Sequence, residues 1–86
     1  MRLFTFELNT GSLAIDSVDG VTQMSIQANA SSSCEILGNF PFKGNTSTAI
    51  VLANGESVTL TAPTNSPLDG ITITHVSGTV DILIGF

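Results

Sequence analysis

A chain of 86 residues has room for one domain, and one this small buries only about 60–65% of the surface its unfolded form exposes, so its core is thin. Cys34 is the single cysteine, which excludes an intrachain disulfide as reinforcement and leaves oligomerisation as the common alternative. Two basic residues, Arg2 and Lys43, stand against seven acidic ones; the net charge of −5 repels phosphate backbones and anionic lipid and argues against nucleic acid and membrane as partners.

The opening stretch alternates, with Phe4, Phe6 and Leu8 on one side and Leu3, Thr5 and Glu7 on the other, which predicts a strand over 3–8. Asn9-Thr10-Gly11-Ser12 turns it. A short strand is expected over 13–18, and the Asp19-Gly20 dipeptide predicts a tight hairpin into a third strand over 21–28, whose wet side carries Gln23 and Gln27. After a polar loop, Cys34 to Leu37 reads as a brief strand ending at Gly38-Asn39. The segment Phe40-Pro41-Phe42-Lys43-Gly44-Asn45 is irregular by its Pro and Gly content yet holds two of the five Phe residues. These rings either plug one end of the core or form an exposed apolar knob for a neighbour.

Residues 48–53 are apolar almost throughout, which predicts a strand buried on both faces or the centre of a subunit contact. Phe40, Phe42, Ile50 and Leu52 are therefore the candidate interface residues. Asn54-Gly55 predicts a hairpin into 57–62, and Ser66 to Gly70 feeds the Ile-Thr alternation of 71–75, which a Ser77-Gly78 turn joins to 79–84. These last three strands are expected to lie side by side. No stretch has the apolar spacing of an amphipathic helix. The expected fold is all-β: a single small β-sandwich or jelly-roll-like domain, residues 1–86, of seven to eight short antiparallel strands.

Catalytic and metal chemistry has little to work with. His75 is the only histidine, and a Cys34–His75 nucleophilic pair oriented by Asp69 or Asp81 would have to be assembled by the fold. Asp16, Asp19 and Asp69 lie at expected turns, where an Asp caps its own backbone, and their spacing matches no calcium loop. One His and one Cys in total argue against a zinc site, and no glycine-rich phosphate loop is present. The chain has no Trp and no Tyr, which weakens glycosidase and lectin readings alike. The expectation is no enzyme, no metal and no cofactor.

The surface is short of charge: 10% of residues are charged, against roughly 25% in an ordinary soluble domain. Ser, Thr and Asn make up 27 residues and keep it wettable, so the chain reads as a subunit whose edges are covered by copies of itself. No run approaches the length of about 18–20 apolar residues that spans a bilayer, and Glu7 stands where a signal peptide has its apolar centre, so folding in a cytoplasm is expected.

The segment Ala49-Ile50-Val51-Leu52-Ala53-Asn54-Gly55-Glu56-Ser57-Val58-Thr59-Leu60, followed by Leu68-Asp69-Gly70-Ile71-Thr72-Ile73 and Gly78-Thr79-Val80-Asp81, resembles small virion structural proteins of bacteriophages. The resemblance covers the C-terminal half. It implies a β-sandwich subunit that decorates or cements a capsid or sits at a tail or fibre, a homo-oligomer with a trimer favoured. It further implies contacts with other virion proteins such as the major capsid protein, and a location in the virion after assembly in the host cytoplasm. The alternative is a small ligand- or carbohydrate-binding β module, with a pocket lined by Phe and by Gln23, Gln27 and His75.

Overall fold

The computed structural model describes residues 2–40, 44–45, 50–62 and 66–86, at 39–40 and 44–45 by main chain alone. Two four-stranded antiparallel sheets form the body. The first takes β1 (Leu3–Leu8), β10 (Val80–Gly85), β3 (Gln23–Ala28) and β8 (Ser57–Thr61) in that order; the second takes β2 (Ser12–Ile15), β9 (Ile71–Ser77), β4 (Ser33–Leu37) and β7 (Ile50–Ala53). A two-residue ladder pairs β5 (Asn39–Phe40) with β6 (Gly44–Asn45).

The pairings follow one rule. β1 meets β10, β2 meets β9, β3 meets β8, β4 meets β7 and β5 meets β6, so the chain is one long antiparallel hairpin with its tip at β5–β6. Rolling that hairpin adds the β10–β3 and β9–β4 ladders and closes the two sheets face to face, which is the jelly-roll arrangement. The expected all-β sandwich is therefore observed, and no α-helix occurs among the described residues.

The neighbour relations differ from the expectation. The Asp19-Gly20 hairpin is replaced by a 3-10 turn, Ser17–Asp19, with Gly20 left-handed at φ 69, and it carries the chain from the second sheet to the first. The expected strand over 13–18 accordingly stops at Ile15. Asn54-Gly55 does reverse the chain, with both residues at positive φ and the Glu56 amide donating to the Ala53 carbonyl at 3.1 Å, but β7 and β8 enter opposite sheets. Ser77-Gly78 likewise joins β9 of one sheet to β10 of the other, so the last three strands do not lie side by side. Each strand has one apolar face. Sending consecutive strands into opposed sheets lays those faces against each other, whereas a hairpin would leave them side by side and uncovered.

The alternation of each strand decides what enters the core. From the first sheet come Leu8, Met24, Ile26, Ala28, Leu60, Val80 and Ile82; from the second come Ile15, Cys34, Ile36, Leu52, Ile71 and Ile73. Val21 and Leu68 seal the gap from the connections. The latter is pinned by its amide bonding to the Val21 carbonyl at 2.8 Å. β7 is an edge strand and not buried on both faces: Leu52 is inside while Val51 is 62% exposed.

Candidate functional site: the open edge of the first sheet

The sandwich leaves the apolar face of the first strand partly uncovered. Phe4 and Phe6 stand in register with Ile84 and Ile82, on the row that faces inward, yet they remain 48% and 45% exposed because β1 is the outermost strand of its sheet. Leu3, on the other face, is 57% exposed. Phe86 packs edge-on against Phe4, with ring centroids 5.5 Å apart at 84°, and the Arg2 guanidinium lies 5.4 Å over the Phe4 ring. Three of the five Phe residues thus gather at one rim. The chain termini hold this rim together, since the Phe86 amide donates to the Arg2 carbonyl at 2.9 Å.

Behind the rim, the outer face of the first sheet is concave and bounds a depression of about 810 Å³. Its rungs are Thr5, Leu83, Ser25 and Thr59, then Glu7, Asp81, Gln27 and Ser57. The hydroxyls of Ser25 and Thr59 bond across the strands at 3.2 Å, and Gln27 reaches the Gly55 carbonyl at 3.4 Å. Glu7 and Asp81 sit directly opposite each other, and Asn29 donates its amide to Asp81 Oδ2 at 3.0 Å. The depression holds Gln27 of the expected ligand set. Phe6 also borders it, whereas His75 belongs to the other sheet and Phe4 and Phe86 stand at the rim outside it.

The residues singled out from the sequence fall as follows. Leu52 is core and Ile50 packs against it, so on β7 the side chain turned outward is Val51. Phe42 lies outside the described residues, and of Phe40 only the main chain is described, as part of β5. Cys34 and His75 are cross-strand partners in register, the juxtaposition a nucleophilic pair would need. The chemistry goes the other way. Cys34 is fully buried and desolvation raises its thiol pKa, while the His75 Nε2 is engaged with the Gly78 carbonyl at 2.8 Å.

The acids at turns hold backbone. Asp19 Oδ2 accepts the Asp16 amide at 2.8 Å, Asp69 Oδ1 accepts the Ser17 amide at 3.0 Å, and Glu56 Oε1 accepts the Ala53 amide at 2.9 Å. Among the described residues no group of three His, Cys, Asp or Glu side chains converges as a metal site would require.

No protein-family model, no curated protein and no solved structure matches the chain. The site that sequence reasoning missed is the β1 rim. Its signal was the Phe4, Phe6, Leu8 alternation, which names the face but not whether anything lies over it.

Proposed function

We propose that this chain is a non-enzymatic structural subunit of a virion, a capsid decoration or stabilising component that assembles with copies of itself and packs against other virion proteins. The observation that carries the assembly part is the β1 rim: Leu3, Phe4, Phe6 and Phe86 are exposed together beside an edge strand that contains neither Pro nor Lys nor a bulge to keep another strand away. The virion part rests on the sequence resemblance of the C-terminal half. A thin core and a low-charge, Ser/Thr/Asn-rich surface suit a subunit that spends its life covered.

Sedimentation of the native chain tests the assembly part. A multiple of the 8.9 kDa chain mass is expected at micromolar concentration, and a well-folded monomer throughout that range refutes it. The virion part is tested by gene position: neighbours encoding capsid or tail proteins are expected, and a metabolic operon would remove it.

The concave outer face of the first sheet favours a second reading, a small ligand- or carbohydrate-binding β module. Saturable amide shifts at Ser25, Gln27 and Thr59 on titration with glycans would establish it; unmoved amides would dismiss it.

A further inference from the structure

The assembly reading leaves open which surface meets which, and the β1 edge answers that from its own hydrogen-bond parity. The Phe86 amide bonds to the Arg2 carbonyl, in the same register that pairs Leu3 with Gly85. Even-numbered residues of β1 therefore turn their main-chain groups toward β10. The other side of β10 agrees, because the Asn29 amide bonds to the Thr79 carbonyl and so assigns the odd-numbered residues of β10 to β3. Leu3, Thr5 and Glu7 are left with their N–H and C=O groups pointing outward from an edge strand, which has a ladder on one side only.

We propose that β1 pairs antiparallel with β1 of a second copy about a two-fold axis through Thr5, so that Thr5 faces its own mate, Leu3 faces the mate's Glu7 and Phe4 faces the mate's Phe6. A two-fold axis normal to the sheet keeps the inner faces of both copies on one side, so only residues of equal parity can oppose each other. Three such registers overlap most of the strand. A two-fold at Phe4 puts Phe4 against Phe4 and engages only Leu3 and Thr5 of β1 through hydrogen bonds, and one at Phe6 puts Phe6 against Phe6 and engages only Thr5 and Glu7. The two-fold at Thr5 makes hydrogen-bonded pairs of Leu3 with Glu7, Thr5 with Thr5 and Glu7 with Leu3, which uses every outward main-chain group of β1.

Side chains agree with that choice. Phe4 and Phe6 become close cross-strand aromatic pairs on the inner face, twice, and Thr5 meets Thr5 on the outer face; both kinds of pair stabilise sheets. No like charges meet, because Glu7 faces Leu3 and not its own copy. The two rims merge: Phe4, Phe6 and Phe86 of each copy close over the open mouth of the other, and the two first sheets become one continuous sheet. A second copy is thus the occupant that this edge fits in hydrogen bonding, apolar matching and charge at once.

This inference rests on the assembly reading and is separable from it by three measurements on the full chain. In sedimentation velocity at tens of micromolar the chain should run as a dimer or a multiple of dimers. Thr5→Pro removes an outward N–H that the β1–β10 ladder does not use, so it should keep the native circular dichroism and weaken the dimer at least tenfold. Thr5→Cys should cross-link to itself under mild oxidation, since a hydrogen-bonded antiparallel pair holds its Cα atoms about 5.5 Å apart, within disulfide reach. Leu3→Cys or Glu7→Cys alone should not cross-link, and a mixture of the two should. A larger assembly insensitive to Thr5→Pro, or cross-linking of Glu7→Cys to itself, overturns the edge pairing and leaves assembly standing; a monomeric wild type overturns both. Should Thr5→Pro fail to fold, the cross-linking pattern decides alone.

Discussion

Gly78 and Ser32 provide the sharpest test of the packing. Gly78 turns the chain from β9 to β10 at φ 70, in the left-handed region, and an added Cβ would overlap the Ser32 hydroxyl and stand 2.7 Å from the Ser32 Cβ and 2.9 Å from its Cα. Ser32 cannot swing away freely. Its side chain is buried and its Oγ accepts the Thr79 amide at 2.8 Å. Gly78→Ala therefore carries a left-handed strain of about 1–2 kcal/mol and an overlap cost of about 1–3 kcal/mol, together about 2–5 kcal/mol. Ser32→Gly removes the two nearest obstacles but leaves the Thr79 amide without its acceptor, at about 1–3 kcal/mol.

The double variant should then be less destabilised than the sum of the single ones, by up to about 1–3 kcal/mol, because the overlap with the Ser32 Oγ and Cβ exists only when both side chains are present, while the close approach to the Ser32 Cα remains. Urea unfolding followed by circular dichroism measures each corner of the cycle, and thermal midpoints should fall by about 4–8 °C per kcal/mol in a domain of this size. A Gly78→Ala chain as stable as the wild type would refute the reasoning. So would strict additivity, since the strain would then owe nothing to Ser32.

Ile26 is fully buried at the middle of β3, so Ile26→Ala should cost about 2–5 kcal/mol in the same assay, while Val18→Ala at the exposed 3-10 turn should stay within about 0.5 kcal/mol. Asn54 sits at φ 55, so Asn54→Ala should lower stability by about 1 kcal/mol and Asn54→Gly should be close to neutral; equal effects would refute the turn geometry. Burial favours the protonated Cys34 thiol in the folded chain, so its contribution is complete below the ordinary thiol range and is lost as pH rises through the raised folded value. Stability should therefore decline above about pH 9, and Cys34→Ala should flatten that decline. The native thiol should also alkylate more slowly than the same thiol in urea; faster labelling would restore the nucleophile reading.

How much was legible in the residues can be followed element by element. Ile71-Thr72-Ile73-Thr74 announces a half-buried strand, and β9 has that form, with Ile71 and Ile73 inside. Asn54-Gly55 announces a reversal, and the reversal occurs. What such dipeptides do not contain is the partner of the strand that follows, because a turn of two residues constrains only the atoms it joins. Val51 shows the same limit from another side: its apolar neighbours suggested burial, but its position on an edge strand left it in water. Cys34 and His75, distant in the chain, became register neighbours through the β4–β9 ladder, while the packing of the two sheets buried the thiol that chemistry would have needed exposed.

The amino-acid order alone determined that this protein is built of short strands, where they break, and which side of each is oily, since period and turn chemistry act over a few residues. Only the rolled tertiary arrangement decided which strands touch, that Leu52 is core, and that Phe4 and Phe6 stand at an uncovered rim. The reason is that a strand's exposure depends on what the opposite sheet places over it, and every one of those covering residues comes from elsewhere in the chain.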